Sequence, residues 1–115
     1  MSTDSFFETM LYFFPDAKQD YIDSIEFVGE RLNTIVIEQV FMPRLMELLK
    51  QNKDTELLHS IFDFFEEVSN CNNQVIRNAF EVTVLEVLDI DKNILATAKQ
   101  YMGLKTAELQ SEVSY

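Results

Sequence analysis

The chain has 115 residues, 47% of them hydrophobic and 25% charged, enough for one modest core and too apolar for a disordered segment. Twenty acidic side chains against nine basic ones give a formal charge of −11, which argues against direct binding to nucleic acid or to an anionic membrane. Only two glycines and two prolines are present, too few for the many tight turns of a sandwich or barrel.

In chain order, Asp4 or Ser5 is a candidate cap for a first helix carrying Phe6, Phe7, Met10, Leu11 and Phe14, ended by Pro15. A second helix is predicted from about Asp16–Asp20. Its apolar positions Tyr21, Ile25, Val28, Leu32 and Ile35 step by four and three along one face. Thr34-Ile35-Val36-Ile37 is β-branched and reads as that helix's end, and Pro43 suits the first turn of the next. That helix carries Leu45, Met46, Leu48 and Leu49 to a polar turn at Gln51-Asn52-Lys53.

Asp54 is a plausible N-cap for a helix with Leu57, Leu58, Ile61, Phe62, Phe65 and Val68 on its apolar side, and residues 69–73 read as a turn. Residues 75–88 form the most apolar stretch; their length favours a buried helix, although 80–84 also alternates like a strand. Asp89 or Asp91 caps a helix through Ile94, Leu95, Ala98, Tyr101 and Met102. Gly103 fits a left-handed residue beyond its end, and Thr106 caps a last helix to about Val113. The expected fold is therefore all-α: a single domain, 1–115, of six or seven short helices arranged as a bundle or as stacked helical hairpins.

Chemistry-bearing groups are sparse. The lone histidine, His59, lies three residues after Glu56, a helical ligand step, but one histidine and one cysteine cannot complete a di-iron or a Cys/His zinc site. His59 is expected to be a partly exposed helix residue, and Cys71 a small packed side chain rather than a nucleophile. Both glycines stand alone, so there is no phosphate-cradling loop. We expect no enzymatic activity, no cofactor and no metal. Neither a signal-like N-terminus nor a membrane-length apolar run is seen, so the expected location is the cytoplasm.

Charge is the most informative feature. Residues 1–41 hold eight acids (Asp4, Glu8, Asp16, Asp20, Asp23, Glu26, Glu30 and Glu38) against Lys18 and Arg31. Asp16, Asp20, Asp23 and Glu30 fall on one helical face with Glu26 beside them, and Glu56, Asp63 and Glu67 form a second polar face next to Glu66. A solvated face explains such charge as well as a docking surface does, because like-charge penalties at this spacing are only about 0.2–0.5 kcal/mol per pair. Read functionally, Asp20, Asp23, Glu26, Glu30, Glu66 and Glu67 would dock a basic protein. The adjacent pairs Phe6-Phe7, Phe13-Phe14 and Phe64-Phe65 point about 100° apart on a helix. Both members are buried only if the helix is sandwiched between layers; otherwise some rings face a partner.

Phe62-Asp63-Phe64-Phe65-Glu66-Glu67, Val75-Ile76-Arg77-Asn78, Leu85-Glu86-Val87-Leu88 and Tyr101-Met102-Gly103-Leu104-Lys105-Thr106 follow one another over about residues 41–110. This succession resembles small, acidic, all-α bacterial immunity proteins of toxin–immunity systems. The resemblance implies a non-catalytic protein that binds and neutralises a basic toxin domain; it carries over no individual functional residue. The alternative is a helical adaptor or regulatory subunit, with a homodimer among its forms.

Overall fold

The computed structural model describes residues 1–113, and among them the chain forms seven helices and no strand. Helix α1 is Thr3–Phe13, and a 3₁₀ turn, Pro15–Ala17, leads into α2, Lys18–Val28. Helix α3 (33–51) and α4 (Thr55–Asn70) follow, then α5 (74–90), α6 (Lys92–Lys99) and α7 (Leu104–Val113). Every element is helical, as expected of an all-α domain. No helix among the described residues is long and apolar enough to cross a membrane.

Local chemistry sets most of the boundaries. Ser2, slightly earlier than expected, caps α1: its hydroxyl accepts from Ser5 N at 3.0 Å while Ser5 Oγ accepts from Ser2 N at 3.0 Å. Asp54 accepts from Leu57 N to start α4, and Asp91, not Asp89, takes Asn93 N and Ile94 N to start α6. Asn73 does the same for α5 through Val75 N and Ile76 N. Asn52 closes α3 in the left-handed conformation.

Further boundaries differ from the sequence reading, and the last helix starts at Leu104, so Thr106 lies inside it and is not its cap. Helix α2 stops at Val28 because Gly29 adopts φ 88° and donates its N–H to Ile25 O at 2.8 Å. Leu32 and Ile35, which continue the spacing of α2, therefore belong to the start of α3. Pro43 opens no new helix; it lies inside α3, just after a π-helical segment, Ile37–Phe41. The wide turn accommodates a residue with no N–H to give, and Arg44 Nη1 donates to Val40 O at 2.8 Å within the same bulge. A second π segment, Phe80–Leu85, interrupts α5 where the sequence alternates like a strand, and it packs on the first. Gln110 on α7 steadies it by donating Nε2 to Leu85 O at 3.0 Å.

The core is aromatic. Phe6, Phe7, Phe41, Phe62, Phe65 and Phe80 are fully buried, and Phe64 nearly so. Ring centroids run Phe41–Phe7 6.2 Å, Phe7–Phe6 5.3 Å, Phe6–Phe64 5.7 Å, Phe64–Phe65 6.4 Å and Phe65–Phe80 5.2 Å, joining α3, α1, α4 and α5. Both members of the pairs Phe6-Phe7 and Phe64-Phe65 are inside, so α1 and α4 are sandwiched. Each fully buried ring contributes about 1.5–3 kcal/mol of transfer free energy.

Helix α7 is tied to α4 by one carboxylate. Glu66 accepts from Lys105 N at 2.9 Å, Thr106 N at 2.8 Å and Thr106 Oγ1 at 2.8 Å, so it caps a helix far along the chain from its own. Buried Thr106 also shares a 2.9 Å hydrogen bond with buried Ser69. Gly103 belongs to this contact and is not the left-handed residue expected, since among the described residues Gly29 is the glycine with positive φ. A Cβ on residue 103 would stand 2.6 Å from Glu66 Cδ, so the position is glycine for room. Partial burial pushes the Glu66 carboxyl up, but the donors from Thr106, Lys105 and Asn70 outweigh it and hold it below the ordinary glutamate value.

This contact generates three predictions. Glu66→Gln replaces one acceptor oxygen with a donor that faces another donor, and should lower stability by about 1–2 kcal/mol in urea denaturation. Gly103→Ala should also destabilise, but less in a Glu66→Ala background; strict additivity would show that the close approach is irrelevant. Because the folded carboxyl is depressed, its contribution is present above the ordinary glutamate value of about 4.3 and fades as pH falls through the lower folded value. The difference in stability between wild type and Glu66→Gln should shrink over that acid range, as urea midpoints at successive pH values would report.

Candidate functional site: an acidic groove

The N-terminal acids do not all remain free. Arg44, on α3, donates Nη2 to Asp20 at 2.8 Å and Nε to Asp16 at 3.2 Å. The hydrogen bond to Asp20 is the main reason that the guanidinium's pKa is raised, against an opposing effect of burial. Arg31 donates Nη2 to Asp4 at 2.7 Å and Nη1 to the Tyr21 hydroxyl at 3.3 Å, and lies 4.6 Å over the Phe7 ring. Arg31 and Arg44 thus neutralise Asp4, Asp16 and Asp20.

The acids that follow Asp20, as far as Glu38, stay unneutralised. Asp23 accepts from Gln19 Nε2 at 2.9 Å, and Asp23, Glu26, Glu30 and Glu38 are exposed and form no ion pair among the described residues. Helical spacing groups Asp20, Asp23, Ser24, Phe27 and Val28 on one side of α2, which forms a groove of about 460 Å³ with Ile35, Gln39 and Val40 of α3. Phe27 is 92% exposed and Val28 46%, although other phenylalanines fill the core. Sequence reasoning from adjacent phenylalanine pairs passes over Phe27. The signal that could find it is a lone aromatic set among acids, next to Glu26 and between Asp23 and Glu30.

The expected docking residues therefore divide. Asp20 and Asp23 line the groove, with Asp20 already paired to Arg44. Glu26 and Glu30 are exposed on α2 and in the turn after it. Glu67 is exposed on α4, whose packing partners include α7 and α5. Glu66 is engaged elsewhere. Both its oxygens accept hydrogen bonds at the start of α7, which corrects its assignment to the docking set.

His59 is exposed on α4, with its ring 4.8 Å from that of Tyr101. Cys71 is half-buried just beyond the end of α4 and donates weakly to Asn73 O at 3.8 Å. The helical rise between them puts the two about 18 Å apart, too far for a nucleophile and its base. Among the described residues no group of three or more His, Cys, Asp or Glu side chains is arranged to hold a metal ion.

A family model described as a domain of unknown function, DUF7674, matches residues 7–114, and the chain belongs to that family. No curated protein and no solved structure matches it.

Proposed function

We propose that this member of the DUF7674 family is a non-catalytic protein-binding domain that neutralises a basic toxin domain by occupying it, as an immunity-type inhibitor does. The observation that carries the reading is the exposed Phe27 of α2, with Asp23 in the same groove lining, Glu26 beside it in sequence and Glu30 in the turn after the helix, all three acids exposed and without ion pairs among the described residues. Uncompensated like charge speeds encounter with a cationic partner, and a protruding ring supplies contact area at little entropic cost. Such an inhibitor would act in the cytoplasm, by stoichiometric capture.

The test is affinity capture from source-cell lysate at low and high salt, with wild type and with Asp23→Lys/Glu30→Lys as bait. One basic protein should be held by wild type and lost with the reversed charges. That protein should arrest growth when expressed alone, and co-expression of this chain should restore growth. A captured partner without toxicity would replace the inhibitor with the helical adaptor or regulatory subunit. Recovery of the chain itself, equally with both baits, would favour a homodimer and remove the support for electrostatic capture.

A further inference from the structure

The groove between α2 and α3 has features that narrow the choice of occupant, if the protein-binding reading holds. Its floor is Val40 and its walls are Phe27, Val28 and Ile35, so it is apolar along its centre. Acids flank it: Asp20 and Asp23 in the lining, Glu26 and Glu30 nearby in sequence. Val40 and Gln39 belong to the π segment of α3, a distortion that often marks functional positions.

The groove is also braced. One guanidinium, Arg44, holds the Val40 carbonyl of the floor at 2.8 Å and the Asp20 carboxylate of the wall at 2.8 Å. Floor and wall are thereby fixed to each other before any partner arrives, which reduces the ordering needed on binding. Arg44 is a positioning residue here, and its charge is already satisfied from within the chain.

We propose that the α2–α3 groove takes a basic amphipathic helix of the partner. Two neighbouring helices leave a furrow in which the ridge of a third one fits, and the lining residues of α2, from Asp20 to Val28, give it a length of about 12 Å, a little over two turns. The incoming helix places apolar residues at i, i+3 or i+4, and i+7 on Phe27, Val28, Ile35 and Val40. Lys or Arg on its flank meets Asp23, the acid of the lining that no arginine already holds. A second copy of this chain is the wrong occupant, because its formal charge is −11 and its own helices would bring acids to an acidic rim.

The probe is a synthetic three-turn peptide of Leu and Lys with leucines on one helical face, titrated into the isotopically labelled full chain and followed by NMR. Controls are a peptide of the same composition with leucines spread around the helix, and one with Glu in place of Lys. Shift changes should centre on Phe27, Val28, Ile35 and Gln39, and the two controls should bind at least about tenfold more weakly. Phe27→Ala should weaken binding about tenfold with an unchanged spectrum elsewhere, since the ring is 92% exposed and its removal leaves the core intact. Asp23→Lys should weaken it and flatten its salt dependence.

Equal binding of the spread-leucine control, indifference to Phe27→Ala, or shifts centred on another groove such as that of Leu32, Val75 and Val82 would each overturn the proposal. A lysate partner that is lost with Asp23→Lys/Glu30→Lys but kept by Phe27→Ala would leave the protein-binding reading standing while this one fails. A groove that binds the patterned peptide in a chain that captures no partner would separate the two the other way.

Discussion

Neighbouring residues on a helix diverge by about 100°, so a helix that buries two adjacent phenylalanines must have core on two sides. Phe6-Phe7 on α1 and Phe64-Phe65 on α4 both meet that condition. Their rings form a continuous path from Phe41 of α3 to Phe80 of α5, and the other helices are arranged around it. The path ends in the two π segments, Ile37–Phe41 and Phe80–Leu85, which themselves pack together. The wide turns and the aromatic path are thus parts of one packing problem, solved at the centre of the molecule.

That arrangement gives meaning to what is left outside. The central path takes rings from α1, α3, α4 and α5 and none from α2, a helix without a fully buried residue. Phe27 lies on another side of α2 than Tyr21, whose ring packs on Phe7 at 5.8 Å and on Phe41 at 6.3 Å. Helix α2 is held instead by half-buried Tyr21, by Arg44 reaching Asp16 and Asp20, and by the closure at Gly29. Exposed ion pairs of this kind contribute little stability each. Their more useful effect is to fix where the face of α2 stands relative to α3, and so to shape the groove.

The sequence makes legible whatever depends on neighbours in the chain. Pro15, Asn52, Asp54 and Asp91 act within one turn of their own positions, and each marks a boundary that the structure keeps. The β-branched stretch at 34–37 misleads because Ile35 fits the spacing of α2, whereas Gly29 has already ended that helix. The strand-like alternation at 80–84 coincides with a π segment, where the wider turn changes which residues share a face. Neither effect is visible to a fixed helical period.

Contacts between distant residues escape for a different reason. Glu66 looks like one more surface acid because nothing near it in sequence announces the start of α7, whose amides it receives. Gly103 looks like a helix terminator because a glycine after a helix usually is one; here the absent side chain makes room for that same carboxylate. The two misreadings share one cause. With both Glu66 oxygens engaged, the unpaired acids closest in sequence to exposed Phe27 are those of α2 and the turn after it, while Glu8 stands one turn before exposed Tyr12 on α1 and Glu67 on α4 lies outside the groove's lining. The tertiary cap thus acts by subtraction: it engages a carboxylate that the sequence alone would leave free on α4.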